Sequence, residues 1–262
     1  MKIKVSVIQF QPSLGDPMAN IRALRDLFSQ ISGSNLVVIP ELANSGYNFK
    51  DREEAFQYAE TIGEKGDYQE FLQEQASLLG LHIVSGINER AGDVLYNSAI
   101  CVGADGVLGR YRKMHLFMNE KDIFRPGDAG LPVIDLGGYK IGMMICFDYL
   151  FPEPWRIMAQ KGADIICHPS NLLTENAQRC IPGLSLMNRV YIANANRTGN
   201  ERGLYFNGNS LICQPDGRIV EKASSNDPEV ISHVIDTEHS RNKMVTVRNH
   251  VFDDRRPDQY LA

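Results

Sequence analysis

The chain has 262 residues, 43% of them hydrophobic and 23% charged, ordinary for a soluble globular protein and enough for one large α/β domain or two small ones. Its net charge of −5 comes with no basic block, which argues against nucleic acid as a partner. No apolar run approaches the ~20 residues that span a bilayer, and Met1–Lys4 leads straight into a strand-like segment with no signal-peptide core, so no membrane partner and a cytoplasmic location are expected.

Residues 3–10 alternate with period two and predict a strand. Asp16-Pro17 predict an N-cap and first helical turn, and Ile21, Leu24, Phe28 and Ile31 recur at helical spacing before Ser32-Gly33. Leu36–Pro40 is the next buried strand, stopped by proline and followed at once by Glu41. A helix over Asp67–Leu79 carries Tyr68, Phe71, Leu72 and Leu79 on one face and ends at Gly80. Strands 81–88, 95–102 and 107–112 follow, the last two joined by an Asp105-Gly106 turn, and Lys113 comes immediately after. Ile141–Ile145 is again an apolar strand, which stops at Cys146, and Pro152 marks the start of a helix.

The second half repeats the first. Residues 140–146 echo 4–10, 164–169 echo 35–40, 190–194 echo 81–85, and 210–217 echo 99–106, in the same order. Each half is therefore read as strand, helix, strand, helix, then three strands. Two such halves packed sheet to sheet predict a four-layer arrangement of helix, sheet, sheet, helix within one domain. Residues from about 223 to 262 are expected to form a C-terminal arm of that domain, ending in the polar run Asn249–Tyr260. The five cysteines (101, 146, 167, 180 and 213) are an odd number and widely spaced, which fits free thiols in a reducing compartment. Cys167-His168 has no second Cys/His pair at zinc-finger distance, so no metal is expected.

Three residues stand at three strand ends: Glu41, Lys113 and Cys146. Sites in parallel α/β sheets form outside the carboxyl ends of strands. A thiol that attacks a carbonyl carbon, a carboxylate that takes the thiol proton and an ammonium that steadies the oxyanion make one reaction. Each has a plainer reading on its own: a buried structural thiol for Cys146, a surface or capping carboxylate for Glu41, a solvated basic patch for Lys113. His115 and His168 are read as ordinary hydrogen-bonded histidines, since neither spacing matches a cysteine-protease signature.

Several ordered stretches together resemble the nitrilase superfamily of carbon–nitrogen hydrolases from end to end. They are Pro40-Glu41 with Gly46-Tyr47, Tyr111–Phe117, Cys146–Glu153, Asn196–Gly199 and Phe206–Ser210. The resemblance implies an αββα sandwich, usually dimeric or larger, with a Glu-Lys-Cys triad and no cofactor. By position, Glu41 resembles the general base, Lys113 the transition-state cation and Cys146 the nucleophile. Glu120 matches a second glutamate that positions substrate and triad, and the Phe147 N–H would complete the oxyanion site. Asn171 and Tyr47 are placed with the substrate-binding residues. In this reading Cys146 has its pKa lowered by Lys113 and local amide dipoles.

The substrate class is read from the residues just after the nucleophile. Nitrile hydrolysers of the family commonly show Cys-Trp-Glu, whereas this chain has Cys146-Phe147-Asp148, which is similar to the amidase branches. Branches that take carboxylate-bearing substrates often carry an arginine where this chain has Tyr149-Leu150. A substrate carboxylate would then lack a charge-assisted partner, unless Arg197 or Arg179 supplies it. The expected partner is thus a small neutral amide. A nitrilase or N-carbamoyl amine hydrolase with the same triad is the alternative, and a non-catalytic scaffold stands last.

Overall fold

A computed structural model of the protein describes residues 1–260. The first half runs β1 (Lys2–Gln9), α1 (Pro17–Phe28), β2 (Leu36–Ile39), α2 (Arg52–Gln57), α3 (Asp67–Leu79), β3 (His82–Ala91), β4 (Val94–Gly103) and β5 (Gly106–Arg112). A linking stretch holds α4 (Glu120–Ile123) and β6 (Val133–Asp135). The second half then runs β7 (Lys140–Met143), a 3-10 turn (Cys146–Leu150), α5 (Pro152–Gln160), β8 (Ile165–Ser170), α6 (Asn176–Asn188) and β9 (Tyr191–Asn196). It continues with the hairpin β10 (Thr198–Glu201) and β11 (Leu204–Asn207), then β12 (Leu211–Cys213), β13 (Ile219–Lys222), β14 (Glu229–Asp236), α7 (Thr237–Arg241) and α8 (Pro257–Tyr260).

The two six-stranded sheets share one plan. In the first, β14 pairs antiparallel with β1, β1–β2–β3 are parallel, and β4 and β5 follow antiparallel. In the second, β6 pairs antiparallel with β7, β7–β8–β9 are parallel, and β12 and β13 follow antiparallel. The sequence repeat is therefore a repeat of topology. The hairpin β10–β11 has no counterpart in the first half, and the edge strands β6 and β14 lie outside the elements predicted from the sequence.

Period-two alternation separates two apolar faces. Val5, Val7, Leu36, Val38 and Val84 join Ile141, Met143, Ile165, Cys167 and Ala193 in the core between the sheets. Ile8, Val37, Ile39, Ile83 and Ile100 turn the other way, onto Leu24 and Phe28 of α1 and Phe71 and Leu72 of α3. Trp155 and Met158 of α5 with Ile181 and Leu184 of α6 cover the second sheet. Each such side chain contributes about 1.5–3 kcal/mol on burial. The fold is an αββα sandwich.

Local chemistry starts and stops the helices as the sequence indicates. Asp16 accepts the Ala19 N–H at 2.8 Å to cap α1, and Gly80 ends α3 at φ +62. α1 stops at Phe28, however, and Gln30 and Ile31 close tight turns beyond it. The stretch from 223 onward divides. Residues 229–236 are strand β14 of the first sheet, in register with β1 from Lys2–Asp236 to Gln9–Glu229. Beyond it, Ser240 and Arg241 bond the buried Asp164 at 2.8 and 3.0 Å, tying the chain to the second half. Among the described residues, no helix is long and apolar enough to cross a membrane.

Candidate active site

Strand ends of both sheets meet at one buried cluster. Glu41 follows β2, Lys113 follows β5, Cys146 follows β7 and Asn171 follows β8. Their burial excludes the plainer readings of a surface carboxylate and a solvated lysine: Glu41 is 0% exposed and Lys113 1%. The Lys113 ammonium donates to Glu41 Oε1 and to Glu120 Oε1, both at 2.7 Å. Glu120 is buried as well and also accepts the Tyr47 hydroxyl at 2.8 Å and the Phe117 N–H at 3.2 Å. Tyr47 lines the adjoining cleft with its ring edge-on to Phe206, but its hydroxyl is committed to Glu120.

Glu41 is held at three places. Its Oε1 accepts the Asn97 side-chain amide at 2.7 Å, and its backbone carbonyl accepts the Asn171 side-chain amide at 3.1 Å. Gly86 of β3 lies flat against this turn, and a Cβ there would come within 2.4 Å of the Glu41 Cα. Glu41 Oε2, in contrast, is buried and has no hydrogen-bond partner among the described residues. Asn171 thus braces Glu41 rather than simply lining the cleft, and its backbone N–H faces the Cys146 sulfur.

Cys146 sits at φ +43, in the left-handed region that costs a side-chain-bearing residue energy. Several bonds hold this bend. Asp148 accepts the Ile145 N–H at 2.9 Å, the Tyr111 hydroxyl at 2.8 Å and His115 Nδ1 at 2.7 Å. Trp155 Nε1 donates to the Asp148 carbonyl at 3.0 Å, and His168 Nε2 donates to the Cys146 carbonyl at 2.9 Å. His115 stacks on Phe151 at 3.6 Å. The segment after Cys146 is one 3-10 turn, and α5 begins only at Pro152. The Phe147 ring packs on Phe117 at 5.0 Å and on Phe151 at 5.5 Å.

Electrostatics correct one expectation. Burial and the charge of Glu41 push the Cys146 thiol well above its ordinary range, and Lys113 offsets them only in part. Lys113 already faces two carboxylates, so little of its field is left for the sulfur. The balance favours the thiol over the thiolate. Burial pulls the Lys113 ammonium down, but Glu120 and Glu41 outweigh that and hold it charged. Burial pushes Glu120 up, Lys113 opposes this, and Glu41 adds to it. A buried carboxylate with an unpartnered oxygen beside a protonated thiol can take that proton as the sulfur attacks.

The cleft beside Glu120 and Tyr47 measures about 160 Å³ and is lined further by Phe49, Phe117, Ile123, Phe124 and Leu173. No lysine or arginine lines it among the described residues. Arg197 is fully buried, pairs with Glu201 at 2.8 Å and covers the Phe206 ring at 4.1 Å. Arg179 is exposed on α6 and pairs with Glu175. Neither is placed in the cleft. Sequence reasoning does not single out Asn97, Asp148 or the contact of His168 with the nucleophile. A polar residue inside an otherwise apolar strand (Asn97, His168) is the signal it offers.

The chain matches the carbon-nitrogen hydrolase family model over residues 4–242. It is 46% identical over 261 residues to a nitrilase of Pyrococcus abyssi, covering 99% of each chain. It is 32% identical to an N-carbamoylputrescine amidase of Arabidopsis thaliana, over 99% of this chain and 94% of the relative. Among solved structures, Saccharomyces cerevisiae Nit3, a member of branch 10 of the nitrilase superfamily, superposes with a TM-score of 0.82 at 29% identity over 92% of both chains. The chain belongs to the carbon-nitrogen hydrolase family of the nitrilase superfamily and is a hydrolase acting on carbon–nitrogen bonds.

Proposed function

We propose that this hydrolase is an amidase that converts a small neutral amide to a carboxylic acid and ammonia through a thioester on Cys146. The observation that carries the reading is the divided role of Glu41. One oxygen is tied to Lys113 and Asn97, and the other is buried, unpartnered and within electrostatic reach of a protonated Cys146.

Cys146 gives its proton to Glu41 as the sulfur bonds to the amide carbon. The carbonyl electron pair moves onto oxygen, where Lys113 and the Phe147 N–H receive it. The C–N bond breaks as Glu41 returns the proton to nitrogen, and ammonia leaves. Water then gives a proton to Glu41 and attacks the thioester. Collapse expels the sulfur, which recovers its proton, and the acid is released. Glu120 and Tyr47 fix Lys113 in place during both steps. An oxyanion donor of this kind contributes about 3–4 kcal/mol to the barrier reduction.

Size and charge support the substrate class. The cleft of about 160 Å³ lies below the ~300–1,000 Å³ of drug-sized pockets. Two acidic side chains, Glu41 and Glu120, face the one ammonium, and excess negative charge there would repel an anionic substrate. That same negative charge favours a second reading, a carbamoyl amine bearing a cation, which agrees with the name of the Arabidopsis relative. The test is ammonia release from neutral amides, the matching nitriles, carboxylate-bearing amides and N-carbamoyl amines. Preferred turnover of neutral amides bears the proposal out. Preferred turnover of nitriles or carbamoyl amines replaces it. A homodimer goes with this reading, since α5 and α6 expose Ile157, Leu186 and Met187. A monomer mass by light scattering would count against the dimer.

A further inference from the structure

We infer that His168 is a positioning residue for the oxyanion, acting through the peptide bond that joins Cys146 to Phe147. This rests on the reading that the Phe147 N–H receives the oxyanion. His168 Nε2 lies 2.9 Å from the Cys146 carbonyl oxygen. A carbonyl oxygen only accepts, so Nε2 carries the proton. The other ring nitrogen faces the Asn194 side-chain amide at 3.1 Å. That amide nitrogen also lies 3.0 Å from the His168 carbonyl and 2.9 Å from the Ser170 hydroxyl oxygen, so it presents donors toward the ring and leaves Nδ1 the unprotonated nitrogen. The imidazole is therefore a neutral Nε2–H tautomer. The ring is fully buried and edge-on to Trp155 at 5.2 Å. Burial pulls its pKa down to about 4, so it stays neutral at working pH.

The bonded carbonyl belongs to the same peptide group as the Phe147 N–H. A hydrogen bond to a carbonyl withdraws electron density from the amide and strengthens its N–H as a donor, by roughly 10–30% per bond in a chain. The donor chain runs from the His168 Nε2–H to the Cys146 carbonyl, then from the Phe147 N–H to the oxyanion. His168 also sets the plane of that peptide next to a residue at φ +43, so the N–H direction is fixed before substrate arrives. The imidazole does not touch substrate and takes no proton from Cys146. A plain core histidine would hold the bend without any effect specific to an oxyanion.

Two reactions of Cys146 separate these roles. Acylation by 4-nitrophenyl acetate builds a tetrahedral oxyanion: sulfur bonds to the acetyl carbon, 4-nitrophenolate leaves, and the thiol proton passes to Glu41. Alkylation by iodoacetamide displaces iodide at saturated carbon and builds none. Both are read as adduct at Cys146 by mass spectrometry, with Cys146→Ala as the blank. His168→Leu should slow acylation by about tenfold or more and leave alkylation within about threefold. His168→Gln, which keeps an amide N–H near the place of Nε2, should restore most of the acylation rate. Should the leucine variant fail to fold, His168→Asn takes its place with the same expectation, since its amide is too short to reach the carbonyl. Equal losses in the two reactions, or unchanged acylation, would overturn the inference. Wild-type protein that is acylated but releases no ammonia from amides would refute the amidase reading and leave this one standing.

Discussion

Lys113→Met replaces the buried ammonium by an apolar side chain of similar length. Two carboxylate oxygens, one from Glu41 and one from Glu120, each lose a donor at 2.7 Å. Removing one member of a buried ion pair typically costs about 3–5 kcal/mol. Burial already pushes the Glu120 carboxyl up, so it can take a proton and recover part of that cost. The expected net loss at pH 7 is about 3 kcal/mol. With its carboxyl pushed up by burial, Glu120 makes the penalty largest where it is ionised, and the penalty shrinks as pH falls through its folded pKa. Turnover should fall about 10²–10³-fold, because an oxyanion donor is gone as well.

Urea unfolding at pH 7 and pH 5, together with ammonia release, reads both effects. Adding Glu120→Gln to Lys113→Met should recover about half of the lost stability, since it removes one of the two buried charges. It should recover no activity. A single variant within about 0.5 kcal/mol of wild type would refute the electrostatic reasoning. Turnover within about threefold of wild type would refute the oxyanion role of Lys113.

Other contacts give further expected outcomes. Gly86→Ala sets a methyl against the Glu41 backbone, so turnover should drop at least about tenfold while thermal unfolding remains cooperative; unaltered turnover would mean that the turn yields at no cost to the base. Alkylation of wild-type Cys146 should keep rising with pH past about 9, the ordinary thiol range, because burial and Glu41 hold the thiol up. A rate plateau below about pH 8 would reveal a thiolate already formed. His168 is held at about 4 by burial, against about 6.5 unfolded. Between those values the unfolded chain binds a proton there and the folded chain does not. Stability should fall as pH drops through that window, by about 3 kcal/mol at its lower end. His168→Gln should lose this slope, and an unchanged slope would exclude His168 as its source.

The repeat is legible because β1 with β7, and β2 with β8, are runs whose apolar residues must face a core on both sides. β14 is harder to see. It is an edge strand, with His233 and Val234 partly open and its partner β1 far away in sequence. Pairing across such a distance leaves no local signature. Glu41, Lys113 and Cys146 can be singled out because each stands within three residues of a strand end, where sites form in α/β sheets. Asn97 and His168 cannot, since one polar residue inside a strand does not reveal which backbone or carboxylate lies across the sheet. The direction of the Cys146 shift is missed for a related reason. Motifs name the charges present but not how deeply the sulfur is buried, nor that Lys113 is shared by two carboxylates.

Ammonia release from a panel of small amides, matching nitriles and N-carbamoyl amines, with Cys146→Ala alongside, tests the central claim most directly. The account predicts release chiefly from neutral amides and none from the variant. Release that survives Cys146→Ala, or that comes chiefly from the nitriles, would contradict it.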